Sequence, residues 1–448
     1  MQIWLRWLFS LVLLCHILPA AAAGTAWLRP LIPGWEVRSL LTAGETAADG
    51  YRMAGIPDGL GAFDNGDGSF TLLMNHEIRP ELGVVRAHGS RGAFISRWVF
   101  DIETLEAQKG SDLTQSTVPA GIAFSRLCSA DLPPLSAFLD PASGKGYPGR
   151  LFMNGEEDKS GGRAFAHGLD GISYALPDLG RIAWENVLVH PAADEKTVVM
   201  GLDDYMEGLV LLYLGNKRHD GNPIEQAGFA GGNLYALQVK DARFIPVRLQ
   251  GAAQLDGGTL RAQARAAGAS IFPRPEDGAW DTRDANVFWF STTDKPGGDS
   301  RLYRLVFDDV RNPARGGRIQ TMLRAADIGA EMFDNLAVDG DGRVIIQEDP
   351  GNHPRLAAIW LFEPETGKIL KIAEASAEVF AESGAAFLTR DEEHSGIIEV
   401  TPLLKAASWF DPSRRYYLGT TQVHRPHEDE ALVEYGQLWL LSGPAASR

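Results

Sequence analysis

Cysteine is nearly absent: the chain has 2 in 448 residues, Cys15 and Cys128. Cys15 lies in an apolar N-terminal stretch that reads as a removable leader. Cys128 then has no partner within the chain, which excludes a disulfide framework. No second apolar run of membrane-spanning length follows that leader, so no membrane insertion is expected after it. Positive charge is also short. The 42 Lys and Arg face 58 Asp and Glu, for a formal net charge of −16. Such a surface repels nucleic acid and anionic lipid. Helical periodicity is scarce, and only Gly258–Ala269 reads as a short helix. There is no Gly-x-Ser-x-Gly nucleophile elbow, and Gly228–Gly232 lacks the Lys-Ser/Thr of a P-loop. His394-Ser395-Gly396 and His424 supply a serine and histidines without an evident orienting third member.

The leader covers residues 1–23. Arg6 is its one charged side chain, Leu8 to Leu14 form the apolar core, and Ala20 to Ala23 offer a small-residue cleavage site. The expected organisation is a signal peptide at 1–23 and a single domain at 24–448. The expected location is the periplasm or the medium.

The remainder consists of short β-rich runs between Gly, Asp, Asn and Pro turns. One arrangement recurs: an acid, an apolar strand, a turn, a second apolar strand and another acid. Asp58-Gly-Leu-Gly-Ala-Phe leads through Asp64-Asn-Gly-Asp-Gly to Phe70-Thr-Leu-Leu-Met and Glu77. Glu185-Asn-Val-Leu-Val leads to Thr197-Val-Val-Met and Asp203-Asp204. Glu276-Asp-Gly-Ala-Trp leads to Val287-Phe-Trp-Phe-Ser and Asp294. Asp334-Asn-Leu-Ala-Val leads through Asp339-Gly-Asp-Gly to Val344-Ile-Ile-Gln and Glu348-Asp349. Weaker copies occupy Leu135–Asp158 and His394–His424. The fold class is therefore all-β, with a six-bladed β-propeller as the first expectation, seven blades as the next, and loop insertions on one face. Trp409, Tyr416, Tyr417 and Trp439 read as blade core.

The first strand of each propeller blade lines the central channel, so Asp58, Glu185, Glu276 and Asp334 should converge. Crowded carboxylates repel one another unless cations lie among them. Cys128 falls in Arg126-Leu-Cys-Ser-Ala-Asp-Leu-Pro-Pro, which reads as a loop without a strand pattern. A soft sulfur beside hard oxygens suits iron or zinc next to calcium. Asn75-His76-Glu77 ends a strand with three potential ligands or orienters. Glu156-Glu157-Asp158 and Asp203-Asp204 are oxygen-rich pairs natural for calcium. In Arg274-Pro275-Glu276, Glu276 could hold metal while the guanidinium forks onto an oxyanion.

These stretches resemble the PhoX family of exported alkaline phosphatases. The resemblance rests on Asp58-Gly-Leu-Gly, Asn75-His-Glu, the isolated Cys128, Glu156-Glu157, Trp184-Glu185-Asn, Asp203-Asp204, Arg274-Pro-Glu-Asp-Gly and Asp334-Asn-Leu-Ala. It implies a six-bladed propeller with ferric iron (Fe3+) and calcium at its centre. It implies iron ligation by Cys128, Glu185 and Glu276, and metal ligation by one of Glu156 or Glu157. By the same implication, Glu77 and Asp204 are calcium ligands and Arg274 binds phosphate. Cys128, Glu276 and Arg274 form the expected catalytic set, with Arg274 and His76 against the substrate. The expected activity is hydrolysis of phosphate monoesters, and of diesters as an extension, by a monomer acting on small phosphorylated substrates. Two alternatives remain open: a calcium-stabilised binding module without catalysis, and a phytase-like esterase or lactonase on the same scaffold.

Overall fold

The computed structural model describes residues 24–192 and 194–446. The expected signal peptide at 1–23 lies outside them. Among the described residues no helix is long and apolar enough to cross a membrane. Among the described residues the one helix of eight residues or more is Gly257–Ala266, capped by the Asp256 carboxylate, which accepts from the Thr259 amide at 2.8 Å.

The chain is all-β, in antiparallel sheets of five, thirteen, four and four strands with one parallel pairing. Five strands carry the expected acid or thiol positions, Pro57–Asp64, Leu127–Asp131, Arg181–Val189, Pro275–Trp280 and Phe333–Val338, and a sixth, Glu392–Glu399, is built like them. We call these the inner strands. In the same order each pairs antiparallel with a second strand: Ser69–His76, Leu151–Gly168, Lys196–Asp203, Val287–Thr292, Val344–Glu348 and Arg414–Val423. Three of the second strands, Val287–Thr292, Val344–Glu348 and Arg414–Val423, are rich in β-branched and aromatic residues. Val287–Thr292 is buried throughout, so it reads as a continuous apolar run rather than an alternating one.

Each inner strand packs beside the next in chain order, and Glu392–Glu399 packs beside Pro57–Asp64. Apolar clusters fill the spaces between consecutive strand groups. Phe124, Phe152 and Phe165 lie between the first and second, and Trp184 and Tyr213 belong to the cluster of the second and third. Phe288, Phe290 and Tyr303 follow, then Trp289, Ile346 and Trp360, then Tyr417 and Trp439. Leu60, Leu72 and Trp98 pack with Leu418 and Leu438, joining the last group to the first. Glu36–Thr42 pairs with Tyr435–Pro444 in the sheet that ends on Glu392–Glu399, so one sheet is built from distant parts of the chain.

The Cys128 segment is a correction to the sequence reading. It is not a loop but the strand Leu127–Asp131, paired with Leu151–Gly168. Its sequence hides this because Cys128, Ser129 and Asp131 supply polar groups where the other strands of the sheet supply apolar ones.

Candidate active site

A register shift recurs in the inner strands. Pairing with the second strand slips between Pro57 and Leu60, Leu127 and Ala130, Trp184 and Val187, Pro275 and Gly278, and Phe333 and Leu336. In Glu392–Glu399 it slips between Ser395 and Ile397. A bulge of this kind re-aims the side chains within it. The residues skipped in the first five strands are Asp58-Gly59, Cys128-Ser129, Glu185-Asn186, Glu276-Asp277 and Asp334-Asn335. Cys128 therefore stands where four other inner strands place a carboxylate.

A backbone hydrogen bond repeats with the same register. An amide just after the second strand, or within it in the case of Glu157, donates to the carbonyl two residues before the acid or thiol. The pairs are Glu77–Ile56 (2.9 Å), Glu157–Arg126 (2.9 Å), Asp204–Ala183 (2.8 Å), Thr293–Arg274 (3.0 Å), Asp349–Met332 (3.1 Å) and His424–Asp391 (2.8 Å). This register identifies Glu393 as the sixth inner position. It also defines a second tier of Glu77, Glu157, Asp204, Thr293, Asp349 and His424.

The inner positions meet. Donor atoms of Asp58, Glu77 and Cys128 lie within 4.8 Å of one another, and so do those of Glu185, Glu276 and Asp334. The Cys128 thiol donates to Asp58 Oδ2 at 3.4 Å, and Gln422 Nε2 donates to Asp58 Oδ2 at 2.8 Å and Glu77 Oε2 at 3.0 Å. Neighbouring groups buttress the set. Ser129 donates to Glu185 Oε1 at 2.6 Å, Asn335 donates to Ser129 Oγ, and Asn186 donates to Asp277 at 2.7 Å. Asn75 Nδ2 donates to the Cys128 carbonyl at 2.6 Å, and Asn75 Oδ1 accepts from Asn154 Nδ2 at 2.9 Å.

Burial and mutual repulsion dominate the electrostatics. Burial, then Glu77 and Glu185, pushes the Asp58 carboxyl well above the usual range. Burial pushes Glu185 up to about 7. Burial and neighbouring carboxylates likewise raise Glu276 and Asp334, and Asp349 rises to about 8. Burial and the acids around it raise the Cys128 thiol. Two groups go the other way. Asp204 stays below the usual range despite burial, because Arg274 lies against it. Glu393 is held at about 2 despite burial by its hydrogen bond from His424. The pattern is that of a site short of positive charge.

The two triads fit metal ions. Asp58 Oδ1 and Glu276 Oε1 are buried without a hydrogen-bond donor; Arg274 Nη2 is 3.0 Å from the latter without hydrogen-bond geometry. A buried carboxylate oxygen left without a donor is costly unless a cation supplies the contact. The donor set is oxygen-rich with a single sulfur, which can hold a hard cation and one softer one.

The expected residues separate on this geometry. Cys128, Glu185, Glu276, Glu77 and Asp204 all border the cluster, with Glu157 beside Arg126 and Asp204. Arg274 donates to Asp204 through Nε at 2.6 Å and Nη2 at 3.1 Å. Glu156 points to the opposite face of its strand. Arg163 binds it through Nε at 2.7 Å and Nη2 at 2.5 Å, so its charge is spent there. Of the adjacent glutamates only Glu157 turns inward, as alternation along a strand requires. Asp203 and Asp204 divide in the same way, with Asp203 buried against Arg261 at 2.5 Å. His76 has no nitrogen left for a substrate. Nδ1 is 2.9 Å from the Gly55 carbonyl, Nε2 is 2.8 Å from Ser96 Oγ, and the ring stacks on Phe94 at 4.3 Å. Burial lowers it to about 3, so it is neutral. Asp294 misses the second tier by one residue: Thr293 takes that place, and Asp294 accepts from the Asp299 amide at 2.7 Å. His394 is buried, with Nδ1 2.9 Å from Thr421 Oγ1.

Three site residues escaped the sequence reading. Glu393 was obscured because the last repeat was started one residue late, at His394. Gln422 carried no motif. Arg126 precedes Cys128 by two residues, as Arg274 precedes Glu276; that Arg-x-ligand spacing is the signal that could have found it.

No curated protein sequence matches this chain. Among solved structures, it aligns with Pseudomonas fluorescens PhoX in complex with vanadate, a transition state analogue. The TM-score is 0.61 at 12% identity, over 94% of this chain and 97% of that one. A Dyadobacter fermentans protein of unknown function aligns at TM-score 0.45 and 8% identity, over 92% of this chain and 100% of the other. The BP39L lectin from Burkholderia pseudomallei aligns at TM-score 0.40 and 11% identity, over 88% and 100%. The family model described as Alkaline phosphatase PhoX matches residues 173–401, a span that holds Glu185, Asp204, Arg274, Glu276, Asp334, Asp349 and Glu393. The chain belongs to the PhoX family of alkaline phosphatases.

Proposed function

We propose that this chain is an exported, metal-dependent phosphatase of phosphate monoesters, extending to diesters, built as a single six-bladed β-propeller over residues 24–448. The observation that carries the reading is the meeting of two ligand triads, five residues from inner strands and Glu77 from the end of a second strand, at one hub beside Arg274. The cyclic packing of inner strands and the repeated amide-to-carbonyl bond support six blades.

Iron is assigned to Cys128, Glu185 and Glu276, and calcium to the Glu77, Glu157 and Asp204 side. When bound, such ions stabilise charge developing on phosphoryl oxygens and lower the pKa of water, an effect of several kcal/mol. The protein's own part is orientation. Ser129 and Asn335 hold Glu185, and Asn75 fixes the backbone at Cys128. Arg274 is held by Asp204 and Glu276 with Nη1 free of protein partners among the described residues, so that N–H can donate to a phosphoryl oxygen. Its guanidinium stays charged throughout, and adds fixed positive charge where phosphorus is attacked. The substrate is a small phosphorylated molecule, and the working unit is the monomer.

Elemental analysis of the purified protein, with hydrolysis of p-nitrophenyl phosphate before and after chelation, tests this reading. Bound iron and calcium with chelator-sensitive turnover are expected. A metal-free protein with full activity would reject it.

A further inference from the structure

Arg126 and Arg274 occupy the same register position in two inner strands. Each lies two residues before the inner ligand, and each carbonyl accepts the equivalent amide, Glu157 or Thr293. Both have left-handed backbones, with φ of +38° and +52°. Ile56 and Met332 share that conformation in two other units, so the twist is not peculiar to the arginines. What distinguishes Arg126 and Arg274 is the long cation placed there. The third unit lies between them and carries Ala183 at the same position, the smallest side chain of the six.

The two guanidiniums are used alike. Arg126 spends Nε and Nη2 on Glu77, at 2.7 and 2.6 Å, and Nη2 also meets Glu157. Arg274 spends Nε and Nη2 on Asp204 and Glu276. Among the described residues neither Nη1 has a protein partner. The Arg126 side chain is 35% exposed, against 22% for Arg274. Each opens into a surface depression. One of about 340 Å³ is lined by Arg79, Arg126 and Lys159 together with the acids Glu81, Glu157 and Asp158; one of about 380 Å³ is lined by Arg274 and Lys159 with Tyr205 and the acids Asp204 and Glu207. Lys159 is common to both. It stands exposed in the middle of Leu151–Gly168, with its carbonyl fixed by Arg261 Nη1 at 3.0 Å.

We propose that Arg126 and Lys159 form a second anion subsite beside the phosphoryl position at Arg274, and that the preferred substrates are phosphate esters carrying another negative group on the leaving moiety. This rests on the phosphatase reading for the role of Arg274. The acidic remainder of the chain, and the carboxylates beside these cations, make such a preference informative, since Arg126 and Lys159 must offset their repulsion of a second anion. Arg126 acts here as a specificity determinant.

The test compares phenyl phosphate with 4-carboxyphenyl phosphate in wild type, Arg126→Gln and Lys159→Gln. Titration calorimetry with phenylphosphonate and 4-carboxyphenylphosphonate accompanies it. The wild type is expected to favour the carboxylated member of each pair, and both variants to lower that preference at least tenfold. Lys159 is exposed, so its variant keeps the test alive if Arg126→Gln does not fold. Equal losses on both members, or no preference in the wild type, would overturn the proposal. Hydrolysis of neither ester with the phosphonate preference intact would remove the phosphatase reading and leave the subsite standing.

Discussion

Cys128 Sγ lies 3.4 Å from Asp58 Oδ2, although 70 residues separate them in the chain. The thiol and the carboxylate hold equivalent places in adjacent inner strands. A carboxylate is thus the natural replacement for the sulfur. Cys128→Ser is expected to lower activity roughly 10–100-fold through loss of metal. Cys128→Asp should recover bound metal but not any thiolate-to-metal absorption. Elemental analysis and a visible spectrum check both.

Arg274 offers one unspent N–H edge. Its removal should cost about 1.5–3 kcal/mol of anion binding, the worth of a charge-assisted hydrogen bond. Arg274→Ala is therefore expected to weaken vanadate inhibition about 10–100-fold while metal content persists. Inhibition curves alongside metal analysis separate the two effects.

Asp203 and Asp204 are neighbours with opposite duties. Asp203 is fully buried against Arg261, which is itself buried. Arg261→Met leaves that carboxylate unpaired and should destabilise the fold by about 3–5 kcal/mol. The double variant Asp203→Asn/Arg261→Met should cost less than the sum of its parts. Denaturant titrations of the four proteins give the comparison.

Asp131 supplies a pH test away from the metal ligands. Burial pushes its carboxyl up to about 7, against an unfolded value near 3.8. Between these values the folded state keeps a proton that the unfolded state releases, so stability falls as pH rises from about 4 to about 7. Asp131→Asn removes this slope and can still accept from the Val189 amide, now 3.3 Å away. The variant should match wild type near pH 4 and exceed it at pH 8, as melting curves across that range will show.

Much of the hub was legible because acids recur at fixed offsets from apolar strands. Asp58, Glu185, Glu276 and Asp334 are found that way, as are the trailing Glu77, Asp204 and Asp349. What failed was facing. The sequence cannot tell Glu156 from Glu157, or Asp203 from Asp204, until pairing partners fix which side of the strand each takes. Cys128 looked like loop because a strand that points polar groups into a site loses its apolar signature. His76 looked available because nothing local reveals the Gly55 carbonyl and Ser96 hydroxyl that occupy its ring.

The pairing of Glu36–Thr42 with Tyr435–Pro444 has a bearing on biogenesis. The sheet carrying Glu393 is completed only when Glu36–Thr42 pairs with Tyr435–Pro444, a strand from far along the chain. The carboxylate cluster therefore cannot close piecemeal during synthesis; its last sheet is complete only once residue 444 has been made. Shaving off Tyr435–Pro444 should consequently abolish ion capture at hub positions hundreds of residues away.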